Sequence, residues 1–170
     1  RFRLFFLIAL GEIVLTTGTS FTDEPFTTER LVALAIAFTG NVALWWCYFR
    51  RGDAMGAAAV EAADDAGGLG WLGTWTLTLV VIALIAIAVG DELAIVHPGD
   101  DATTGFTILA FGGPALFLAG QTVFLRRVLG GIPRSRVLGV AALVLLAFAT
   151  ASLSMLAGIG AATAVLVAVA

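Results

Sequence analysis

Twenty consecutive residues, from Trp71 to Gly90, contain no ionisable side chain. That is the length a helix needs to cross a bilayer core, about 20 residues at about 1.5 Å each. Comparable stretches run from Phe2 to Ser20, Leu31 to Phe49, Thr104 to Leu125 and Val137 to Ala170. The last is too long for one span, so it is divided at Ala157-Gly158-Ile159-Gly160, leaving about a dozen residues to a sixth helix. The runs are continuous rather than alternating, which excludes barrel strands. The expected fold is therefore all-α: a polytopic transmembrane bundle of about six helices.

Composition supports this. The chain is 60% hydrophobic and 12% charged, whereas a soluble domain carries about 25% charged residues. A chain of 170 residues cannot hide that much apolar surface in a water-soluble core, so the bilayer is its first partner. No basic patch with interleaved aromatics points to nucleic acid. Single Cys47 excludes an internal disulfide. The chain opens on Arg1 and ends in an apolar run at Ala170. Both ends read as cuts, so residues 1–170 are expected to form one transmembrane domain, the C-terminal portion of a larger bundle. Missing N-terminal helices of the same chain would then be its packing partners.

Charge alternates along the loops. Arg1, Arg3, Arg50, Arg51, Arg126, Arg127, Arg134 and Arg136 mark one side. Asp23, Glu24, Glu29, Asp91, Glu92, Asp100 and Asp101 mark the other, and Arg30 is the exception. The positive-inside rule puts the Arg-bearing loops, 50–70 and 126–136, in the cytoplasm of a bacterial inner-membrane protein. The first of these loops is Ala/Gly-rich. Trp45, Trp46 and Tyr48 suit the headgroup region at the same side.

Glu12 is the sharpest chemical signal. It lies about 14 Å beyond Arg3 along a helix, near the midplane. A carboxylate there costs at least about 2.5 kcal/mol, so it is expected to face the bundle interior. Thr16 and Thr19 follow at helical spacing on the same face, and Gly11 and Gly18 form a small-residue stripe beside it. Glu12 reads either as a protonatable or cation-binding residue in a pathway, or as a carboxyl that pins two helices together. Asn41, about 13 Å in from Arg50, shares its depth and serves as helix glue or as its neighbour. Gln121 reads as a snorkelling or capping side chain.

Gly112-Gly113-Pro114 predicts a kink near Ala110, static or cavity-lining. Asp91, Glu92 and His97 form a candidate cluster at the outer mouth, with pH sensing as its chemistry. No zinc-ligand spacing appears, so no metal site is assigned. No nucleophile–base or nucleotide-binding motif appears either, so neither an enzyme nor a cofactor is expected. Cys47 reads as a structural thiol.

Several segments, in order, resemble the bacterial low temperature requirement protein A family. They are Ala9-Leu10-Gly11-Glu12, Trp45-Trp46-Cys47-Tyr48-Phe49, Ala88-Val89-Gly90-Asp91-Glu92-Leu93 with His97-Pro98, and Phe111-Gly112-Gly113-Pro114-Ala115-Leu116. The resemblance implies a multi-pass membrane protein associated with growth in the cold, with Glu12 as the family's intramembrane glutamate. Two departures stand out. Ile13 follows that glutamate where the family often has a polar residue, and 71–79 lacks the histidine that relatives tend to carry there. Together these features suggest a transport or permeation protein, or alternatively a non-transporting stress or assembly factor whose polar residues are structural.

Overall fold

The computed structural model describes residues 2–22, 25–61, 66–131, 134–150 and 152–170. Arg1, Asp23 and Glu24, whose charges entered the loop pattern, lie outside them, as do residues 62–65 of the expected loop 50–70. Six helices follow one another: α1 (Phe2–Thr22), α2 (Thr28–Glu61), α3 (Ala66–Val96), α4 (Thr104–Leu129), α5 (Arg134–Ala149) and α6 (Met155–Val169). No named strand occurs among the described residues.

Four of these helices are long and apolar enough to cross a membrane, over Arg3–Thr22, Thr28–Phe49, Gly70–Val96 and Thr104–Arg127. The expected six helices are all present, and the last two are shorter than the others. With 16 and 15 residues, α5 and α6 are about 24 and 22 Å long, short of a core about 30 Å thick. Their boundary also moves, from 157–160 to 150–154. The polar run Thr150 to Ser154 makes the break. Thr150 turns its hydroxyl back to the Leu146 carbonyl (2.7 Å). Ser154 caps α6 by accepting from the Ala157 N–H. Ala102 N donates to Leu153 O and Met155 N to Asp100 O, both at 2.9 Å. The segment between α3 and α4 therefore holds the break open, while Gly158 and Gly160 stay helical.

Other boundaries shift similarly. The expected loop 50–70 is largely helix, because its alanine-rich run extends α2 to Glu61 and alanine's helix preference outweighs the scattered glycines. The expected loop 126–136 is helical at both ends, in α4 up to Leu129 and in α5 from Arg134, and Gly130, with a φ of 69°, ends α4 as a left-handed cap. Arg126 and Arg127 lie in the last turn of α4, where cations favour the exposed carbonyls. Asp91 and Glu92 are helical, not in a loop, since α3 continues to Val96.

The packing centres on α3 and α4. These two touch most extensively, α1 lies against α3 and α2, and α5 lies against α4 and α6. Two glycines let α3 and α4 approach. A Cβ on Gly113 would sit 2.8 Å from Ile87 Cγ1 and 3.1 Å from the Ala83 carbonyl oxygen, and one on Gly90 would sit 3.2 Å from Ala110 N. Small residues at such contacts are how helices gain packing where lipid supplies no hydrophobic drive. At the Arg-bearing end, fully buried Phe6 stacks on Tyr48 with centroids 3.9 Å apart, and lies 6.2 Å from Phe117.

Candidate functional site

A carboxylate does enter the bundle interior, and it belongs to Asp91. Two links place it there. The long apolar register of α3 carries it past Gly90, and the close approach of Gly90 to the Ala110 backbone draws that turn against α4. Asp91 is 8% exposed and lines a small chamber with Gly40, Ala110, Pro114, Ile159 and Thr163, among others. The chamber is about the size of one water molecule. Pro114 sits inside α4 and has no N–H, so the Ala110 carbonyl lacks its usual helical donor. Thr163 approaches from α6; its hydroxyl is 3.2 Å from where a Cβ on Gly40 would stand. The chamber wall is mainly apolar, with Asp91 and Thr163 as the lining residues that carry side-chain oxygens. Such oxygens accept protons or coordinate a small cation, and they leave no room for an organic solute.

The expected outer-mouth cluster is dispersed. Asp91 points into the bundle, Glu92 is half-buried and the His97 side chain is exposed. Helical spacing separates them, because 91 and 92 project about 100° apart and His97 follows the last turn of α3. Among the described residues, no group of three His, Cys, Asp or Glu side chains could hold a metal.

Glu12 does not face the interior of the described bundle. It is exposed, as are Gly11 and Thr19, and the buried residues of α1 are Phe6, Ile13 and Thr17. Thr19 donates to Thr16 O (2.9 Å) and Thr17 to Ile13 O (2.7 Å), so both hydroxyls are satisfied within α1. Asn41 is buried at 3% exposure, and neither its amide nitrogen nor its oxygen has a hydrogen-bond partner among the described residues. The stack of Phe6 on Tyr48 and the bond from Arg30 to Ser20 set the relative height of α1 and α2. Asn41 is seven residues from Tyr48 and eleven from Arg30, which puts it level with residues 9–13 of α1. It shares Glu12's depth but not its direction. In the Gly112-Gly113-Pro114 motif, Gly113 makes the α3 contact and Pro114 lines the chamber, whereas Gly112 is exposed.

Two arginines that loop counting treats as surface charges are buried instead. Arg30 donates from Nε to Ile95 O (2.8 Å), from Nη1 to Pro25 O (2.9 Å) and from Nη2 to Ser20 O (3.1 Å). It ties the ends of α1 and α3 to the start of α2, which explains why an arginine stands on the acidic side. Arg136 donates to Gln121 Oε1 and to Cys47 O, the latter at 2.7 Å. Gln121 is accordingly buried and bonded rather than snorkelling. The sequence carried a faint signal for this pair, a glutamine inside α4 and an arginine just before an apolar run, but nothing to join them.

Fold and site together define a helical membrane protein with a small chamber onto which the buried Asp91 opens. The family described as bacterial low temperature requirement A protein (LtrA) matches residues 1–170. The chain belongs to that family. It is also similar to an uncharacterized protein of Rhizobium meliloti (strain 1021), RA0937, with 34% identity over 145 residues, covering 84% of this chain and 35% of the relative. The chain thus spans about a third of that relative's length. No solved structure matches.

Proposed function

We propose that this chain forms part of a membrane transport or permeation protein that handles protons or a small cation, with Asp91 as the intramembrane carboxylate that carries the charge. One observation carries the reading. Asp91 is buried among four helices, yet it faces a chamber rather than an arginine. Among the described residues, the buried arginines Arg30 and Arg136 donate to carbonyl and amide oxygens elsewhere. Ionisable groups inside membrane bundles are costly and commonly mark ion or proton pathways. Pro114, on the chamber wall, interrupts the hydrogen-bond ladder of α4, the kind of backbone irregularity such pathways use. Asp91 therefore takes the role that sequence reasoning gave Glu12. The chamber is too small for an organic substrate, so the reading is non-enzymatic. The Arg-bearing end faces the cytoplasm of a bacterial inner membrane, as the charge alternation suggests.

The alternative is a non-transporting membrane stress or assembly factor. Arg30 and Arg136 favour it, since they show this chain using buried polar groups as helix ties. Reconstituted vesicles with a trapped pH dye separate the two. After an imposed pH step, Asp91→Asn should lower proton flux at least tenfold and Asp91→Glu should retain part of it. Equal flux in wild type and Asp91→Asn, with both proteins monodisperse, removes the transport role from this residue.

A further inference from the structure

The bare side of α1 carries a second carboxylate, and that combination points to a missing neighbour. Only 17% of the spanning part of α1 is buried, against 39%, 44% and 50% for the other three spans. Along its open side lie Leu4, Ile8 and Leu15, at 66%, 63% and 66% exposed, with Gly11, Glu12 and Thr19 among them. A Cβ on Gly11 or Gly18 would meet nothing within 4 Å. An open face is not informative by itself. On α5, Leu138, Leu145 and Phe148 are 69%, 70% and 81% exposed, but that face bears no charge at its middle and suits acyl chains. The α1 face does not suit them, because Glu12 is at mid-depth and no described residue bonds to its carboxylate. A carboxyl facing hydrocarbon is among the costliest arrangements a bilayer permits.

We infer that this face of α1 docks a further transmembrane helix from outside residues 1–170, one that presents a hydrogen-bond donor to Glu12 and packs closely over Gly11 and Gly18. Two features choose this occupant. Charge complementarity demands a donor at Glu12's depth, which neither lipid tails nor a second copy's apolar face supplies. The curated relative is also much longer than the matched region, which covers 35% of it, so a chain of that length has room for such helices. The donor is a side chain of the Arg, Lys, His, Asn or Gln type. Glycines at positions 11 and 18 let the backbones come close enough for that bond to be short. This contact is independent of the flux assigned to Asp91.

The test places a photo-crosslinking phenylalanine derivative at Leu15, and separately at Phe148 as the lipid-facing control, in the protein expressed at its encoded length in its own membranes. Mass spectrometry of the products then locates the partner. The expected Leu15 product is a peptide of an apolar helix outside residues 1–170 that contains such a donor, while Phe148 yields lipid adducts. Glu12→Gln, which keeps a hydrogen bond, should leave the Leu15 yield within twofold. Glu12→Leu should lower it at least fivefold, with the Phe148 control unchanged. Products that are only lipid, or that map to α1 of a second copy, overturn the inference, as does an unchanged yield in Glu12→Leu.

Discussion

Two adjacent glycines provide a sharp test of the α3–α4 contact. A methyl group added at Gly113 meets Ile87 Cγ1 at 2.8 Å, and the Ala83 oxygen and Ile87 nitrogen at 3.1 Å. Two of those atoms are backbone and cannot rotate aside, so the helices must part. Overpacking of this kind costs about 1–3 kcal/mol. At Gly112 the nearest atom is Ile108 Cγ2 at 4.0 Å, an ordinary contact. Both substitutions to alanine gain the same helix preference, up to about 1 kcal/mol. That gain cancels in the comparison, so Gly113→Ala should be less stable than Gly112→Ala by about 1–3 kcal/mol. At roughly 2–4 °C per kcal/mol for a chain of this size, the melting temperatures of the detergent-purified variants should differ by several degrees. Ile87 and Pro114 both line the Asp91 chamber, so Gly113→Ala should also alter flux while Gly112→Ala leaves it intact. Equal melting temperatures would refute the close approach and the chamber geometry built on it.

Other outcomes follow from the buried polar groups. Arg136→Ala removes the guanidinium that donates to Gln121 Oε1 and Cys47 O and should cost about 1–3 kcal/mol, whereas exposed Arg134→Ala should be nearly silent in the same thermal assay. Asn41→Leu removes an amide that has no partner among the described residues, so it should be neutral or stabilising. A large loss there would mean that Asn41 holds a ligand or an ordered water. The Asp91 and Glu12 substitutions complete the set through flux and crosslink yield.

The helix framework was legible because apolar length is a local property. Each run of about 20 residues declares a span whatever it packs against. Helix rotation was not legible. Residues 12 and 13 differ by about 100° around the axis, and in a helix apolar on every side nothing in the sequence says which one points inward. Glu12 was assigned to the interior on cost alone, while Ile13 occupies it. Asp91 was hidden for the opposite reason. Beside Glu92 and ahead of His97-Pro98 it resembled a solvated helix end, and only the continuation of α3 to Val96 draws it inside. The α5–α6 break lies at Thr150 and Ser154, whose hydroxyls bond the backbone at the helix ends, rather than at Gly158 and Gly160, which a packed helix tolerates.

The two buried arginines bear on the order in which the bundle closes during synthesis. Arg30 finds its Ser20 and Pro25 acceptors within ten residues, but its third acceptor, Ile95, emerges 65 residues later. At about 5–20 residues per second that is a wait of about 3 to 13 s, during which the α1–α2 hairpin is held at its acidic end by local bonds only. Arg136 is the later latch. It reaches back 89 residues to Cys47 and 15 to Gln121, so the opposite end cannot seal until the start of α5 has been made. A chain ending between residues 95 and 136 would thus have the Arg30 tie at its acidic end but only ring contacts such as Phe6 on Tyr48, without the Arg136 tie, at its arginine end.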